Sequence, residues 1–138
     1  MKSVLIPLLL QIAQATSPGE YLSAQDRALP TARTHYTQLK VEAEKNPNRN
    51  LRIESLGLIA LLEQPDTESF LLKRHKEDKD PIVSEHAQVL LFHFIVARNA
   101  RASGQMTDEQ LKKAKETSRR LRAEKLFEPP PKSKSWPK

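Results

Sequence analysis

The chain has 138 residues, no cysteine, 23 Lys/Arg against 17 Asp/Glu and a formal net charge of +6. Without cysteine, a disulfide framework, a thiolate zinc site and a cysteine nucleophile are all excluded. The length suits one domain with a real core, and scarce Gly, plentiful Pro, Lys and Glu and few β-branched runs predict an all-α protein.

Taken in order, Met1-Lys2 form a minimal basic start. Val4–Ala13 (VLIPLLLQIA) is apolar, and Ala13-Gln14-Ala15 is an A-x-A site. Residues 1–15 therefore read as a secretory signal peptide cut after Ala15, which places the mature chain, from Thr16, in a secreted or periplasmic location. The alternative is a short apolar helix packed on the domain of a cytoplasmic protein. Residues 16–127 read as a single helical domain.

Ser17-Pro18-Gly19-Glu20 is a helix start, with Ser17 as cap, Pro18 at the first position and Glu20 completing a capping box. Leu29-Pro30 predicts a break. A helix over about 31–45 carries Tyr36, Leu39 and Ala43 at helical spacing, and Asn46-Pro47-Asn48 ends it. The two most apolar stretches follow, Leu51–Leu62 and Val83–Val96, separated by a short helix over Thr67–Lys76. Gly57 lies inside the first and predicts a close helix approach there. In the second, Val83, Ala87, Leu90 and Phe94 share a face, which predicts Leu90 and Phe94 as core residues. Asp80-Pro81 supplies its cap and first residue. This second run is too short to span a bilayer, which needs about 20 apolar residues. Thr107 to Gln110 is a capping box for a last helix ending near Phe127. Residues 128–138 run from Glu128 through Pro129-Pro130-Pro131 to KSKSWPK, a Pro/Lys-rich extended tail.

Laying Leu51 on Val83 aligns NLRIESLGLIALL with IVSEHAQVLLFHF at an offset of 32 residues, a period typical of two-helix repeats. The stretch FLLKRHKEDKDPIVSEHAQVLL resembles a HEAT-like repeat: Phe70-Leu71-Leu72 for the apolar first helix, the Asp80-Pro81 turn, Val83 two after the proline, and Ala87. The usual arginine after the valine is Ser84 here, while Arg52 fills that place in the first copy. The usual paired alanines are His86-Ala87 and Glu54-Ser55. The resemblance covers about residues 31–98 and implies a short α-solenoid of HEAT-like helical hairpins, with the flanking helices as caps and partner binding as its business.

Little in the chain suggests catalysis. HExxH, G-x-S-x-G and glycine-rich phosphate loops are absent from the sequence. Glu42, Glu44 and Glu54 read as solvated helix faces. His86 and His93 lie two turns apart, about 10 Å along a helix axis, too far to share an ion with His75 unless other elements bend in. The chain is therefore expected to be no enzyme and to need no cofactor or metal.

Charge is unevenly placed. Residues 1–111 carry 13 Lys/Arg against 14 Asp/Glu; residues 112–138 carry 10 against 3. The basic helix and arm single out Arg119, Arg120, Arg122, Lys125, Lys132, Lys134 and Trp136 as candidate interaction residues. Trp136 suits a headgroup layer, a base stack or a partner pocket. The leading expectation is a non-catalytic exported helical-repeat module. It binds a protein partner in the groove between Thr67–Lys76 and Val83–Arg101. The alternative is a polyanion- or membrane-surface-binding protein acting through the basic C-terminal helix and tail. Export makes nucleic acid an unlikely target, and no transmembrane helix is expected in the mature chain.

Overall fold

Caps and prolines set most of the helix boundaries. The computed structural model describes residues 3–129, and among them it has seven helices and no strand. These are α1 (Ile6–Ala13), α2 (Pro18–Thr34), α3 (Tyr36–Lys45), α4 (Arg49–Leu62), α5 (Thr67–Glu77), α6 (Pro81–Ala102) and α7 (Asp108–Leu126). The Ser17 hydroxyl accepts from the Glu20 amide at 3.2 Å. Asn48 caps α4, the Asp80 carboxylate caps α6 through the Ile82 amide at 2.9 Å, and Thr107 and Gln110 close a complete capping box on α7. Each such cap contributes about 1 kcal/mol by satisfying amides that the helix leaves free. Gly104, at φ 72°, turns the chain out of α6 in a left-handed conformation that a side chain would resist.

Pro30 does not break α2. It sits inside the helix, and the break falls instead at His35. A proline in a helix interior costs about 3 kcal/mol. Here Ala24, Ala28 and Ala32, spaced by four, are all buried along one face of α2, and that packing offsets the lost hydrogen bond.

The centre of the molecule is α4. It packs against α1, α2, α3, α5 and α6, and Leu51, Leu56, Leu58, Ile59 and Leu62 are all buried. Each contributes about 1.5–3 kcal/mol on leaving water. Ser55, fully buried as well, donates its hydroxyl proton to the Leu51 carbonyl at 2.7 Å, which makes burying it tolerable. The N-terminal apolar stretch folds as α1 and lies against α2 and α4, with Leu5, Leu9 and Ile12 buried. No helix among the described residues is long and apolar enough to cross a membrane.

Hairpin α3/α4 lies beside hairpin α5/α6, joined along α4 and α6. Polar ties fix the join. Arg52 lies 3.3 Å from Asp78 and 3.9 Å from Asp80, and donates to the Asn46 carbonyl at 2.7 Å. Arg49 reaches Asp80 at 2.5 Å. On the other side, Asp66 starts α5 without capping it. Its carboxylate accepts from the Tyr36 hydroxyl and from Lys40, both at 2.7 Å, and the Lys40 hydrogen bond holds it below the usual carboxylate range.

Candidate functional site

Helix α6 carries apolar residues almost all round, yet only Val83, Ala87 and Leu91 are buried. Leu90 and Phe94, expected in the core, are half-buried. The reason is the course of α7. It leaves α6 at Gly104 and turns back to pack on α2, so α6 and α7 diverge over a floor of α4. The space between them is a groove of about 660 Å³. Its walls are Ala60 and Leu61 of α4, Leu90, Phe94, Ala97 and Ala100 of α6, and Leu111, Ala114 and Ser118 of α7, with Met106 at the turn. That size and apolar character fall within the ordinary range of binding clefts. Helices α5 and α6, between which a groove was expected, pack directly on one another; the α4/α6/α7 groove lies on the other flank of α6.

Charge is concentrated at the rim. Lys115 pairs with Glu63 at 2.5 Å and Arg101 with Asp108 at 3.2 Å. Lys112 and Arg122 also line the groove, and among the described residues neither has a carboxylate within ion-pair distance. Burial lowers the pKa of the Arg122 guanidinium, Tyr21 opposes that shift and Arg119 adds to it. His93, on the same wall, is held below the usual imidazole range by burial first and by Arg122 second. The groove thus carries excess positive charge, partly shielded from water.

The candidate interaction residues of α7 do not form one surface. Arg119 faces inward and clamps α2: its Nη1 lies 2.9 Å from Asp26, Nε donates to Gln25 at 3.1 Å and Nη2 to the Leu22 carbonyl at 3.0 Å. Arg122 points to the groove, while Arg120 and Lys125 are exposed. Lys132, Lys134 and Trp136, with the rest of the tail beyond Pro129, lie outside the described residues.

Glu54 is not a solvated residue. It is buried, and its Oε1 accepts from the Tyr21 hydroxyl at 2.8 Å. Burial pushes its carboxyl up to about 7, with the Tyr21 hydrogen bond pulling the other way. The Tyr21 hydroxyl is raised in turn, by burial and then by Glu54. Glu42 is buried too, accepting from Asn46 at 2.8 Å and Gln38 at 3.0 Å. Gly57 is not at a tight helix crossing: a Cβ there would meet Gln25 Nε2 at 3.7 Å, an ordinary contact.

Ser84 Oγ donates to the His75 carbonyl at 2.6 Å, so its only proton is committed. His75 Nδ1, 3.1 Å from both Ser84 oxygens, must then be the donor. No group of three His, Asp or Glu side chains among the described residues is placed to hold a metal ion. The only signals for the groove in the sequence were the surplus of apolar positions on α6 and the basic run in α7. Compared with family models, curated proteins and solved structures, the chain shows no match to any.

Proposed function

We propose that this protein is a non-catalytic helical module that binds a protein partner through the α4/α6/α7 groove. The bound segment is an amphipathic helix whose apolar side enters the groove and whose acidic flank meets Lys112 and Arg122. One observation carries the reading: an apolar cleft of about 660 Å³ bordered by two cations that no carboxylate among the described residues neutralises. An acidic amphipathic helix satisfies both at once, as helix-in-groove recognition requires.

We further read α3/α4 and α5/α6 as two HEAT-like units. At the offset of 32, Leu51, Ser55 and Ile59 correspond to Val83, Ala87 and Leu91, and all six are buried. The arginine that the resemblance singles out, Arg52, reaches the acids of the next unit's turn, Asp78 and Asp80. These correspondences support the repeat reading. The placement of Leu5, Leu9 and Ile12 in the core supports retention of α1 in the working protein, which favours the cytoplasmic alternative over cleavage and export.

The test uses a fluorescent helical peptide with leucines at three-four spacing and glutamates on one flank, titrated with the full chain. Arg122→Met is expected to weaken binding about tenfold, as expected for one lost charge contact, and to flatten the salt dependence. Failure of the peptide to bind would overturn the reading. So would binding unaffected by Arg122→Met but abolished by Lys132→Ala with Lys134→Ala, which would put the function in the basic tail.

A further inference from the structure

His93 of α6 and Arg122 of α7 both line the groove. The imidazole is exposed at the rim, with the Phe92 ring edge-on to it at 5.9 Å. The two groups are near enough to act on each other: burial, and after it the Arg122 charge, favours the neutral form of His93. The other titratable side chains of the groove largely cancel. Glu63 of α4 pairs with Lys115 of α7, and Arg101 of α6 with Asp108 of α7. Lys112 stands about 15 Å from Arg122 along the α7 axis. His93 therefore faces one uncompensated charge, the guanidinium of Arg122. The other groups that could titrate near neutral pH, His86 of α6 and the buried Glu54 of α4, are not part of the lining.

We propose that His93 is a proton-dependent anchor of the groove: protonating its imidazole and seating a partner's acidic side chain on Arg122 promote one another. The inference rests on the groove reading above. Before a partner docks, the guanidinium repels a proton on His93. A carboxylate seated between the two cancels that repulsion and attracts the proton directly. By linkage, the proton must then tighten the partner's hold by the same factor. The pKa of His93 is thus higher in the complex than in the free protein. The added affinity is fully present below the free value and is lost as pH rises through the bound one. One partly exposed ion pair makes the gain about three- to fivefold.

The test titrates the glutamate-flanked peptide with the full chain at about pH 8 and about pH 5.5, between which the peptide's carboxylates stay largely ionised. The wild type is expected to bind about three- to fivefold tighter at the lower pH. The His93 ring signal in proton NMR, assigned by its loss in His93→Gln, should titrate at a higher pH with peptide bound. His93→Gln should bind with one affinity at both pH values, whereas Glu54→Gln should keep the wild-type difference, which separates the groove imidazole from the core carboxyl. Without any peptide, Arg122→Met should raise the pH at which His93 titrates, because the repelling charge is gone. A difference that survives in His93→Gln overturns the proposal, as does a His93 midpoint that Arg122→Met leaves unmoved. A wild type that binds the peptide equally at both pH values overturns this inference alone; a peptide that binds at neither overturns the groove reading and this inference with it.

Discussion

Glu54 shows how much one residue's chemistry depends on a partner distant in sequence. Its neighbours in the chain mark it as one more helical glutamate, but Tyr21, 33 residues earlier, holds it in the core. Its folded pKa of about 7 lies above its ordinary value of 4.5. The raised value means that the fold favours the protonated acid. This contribution is fully present below about pH 4.5 and is lost as pH rises to 7. A shift of this size corresponds to about 3 kcal/mol. Glu54→Gln keeps an acceptor for Tyr21 and carries no charge. Urea melts are expected to show it about 1–3 kcal/mol more stable than wild type at pH 8, with the difference gone at pH 4.5. Equal stability at pH 8 would mean that Glu54 reaches water after all. Gly57 gives a second residue-scale test. With room for a methyl group and a helical backbone, Gly57→Ala should stabilise by about 0.5–1 kcal/mol. Destabilisation would show that α2 and α4 approach more closely than 3.7 Å allows. The space at Gly57 could not be read in advance, because it depends on where Gln25 of α2 lies.

At the scale of the element, local signals were largely sufficient. Serine, asparagine, aspartate and threonine caps mark the starts of α2, α4, α6 and α7, since capping is chemistry within four residues. Pro30 was misleading because the forces that carry α2 through it are tertiary, and only the buried alanine face reveals them. The N-terminal stretch was ambiguous for a related reason. An apolar run of signal-peptide length and a short core helix have the same composition, so the residues alone leave both readings open; the packing of Leu5, Leu9 and Ile12, which supports the second, is not local. With Leu9 fully buried, Leu9→Ala is expected to cost about 2–5 kcal/mol in thermal or urea unfolding. Intact-mass analysis of protein recovered from its native cells should find residues 4–13 still attached. A chain beginning at Thr16 that keeps the same melting temperature would sink both expectations.

At the scale of the molecule, the all-α class was legible from composition and period, and the pairing of α3 with α4 and of α5 with α6 follows from short turns. The groove was not legible, because it exists only where α7 turns away from α6. That turn depends on contacts between residues more than 90 apart, the Arg119 links to Leu22 and Gln25. The same links alter how the molecule comes apart. A stack of helical hairpins whose contacts are all between neighbours opens from its ends, each unit with its own stability. Here the last helix is fastened to the second, so the segment from α2 to α7 forms a closed loop and neither of those two helices can open without releasing the other. Hydrogen exchange should therefore show α2 and α7 opening together, with one shared free energy. In Arg119→Met, α7 should exchange first and alone, while α4 keeps its protection. If α7 already exchanges independently in the wild type, the clasp is not holding, and the molecule behaves as an open row of helices.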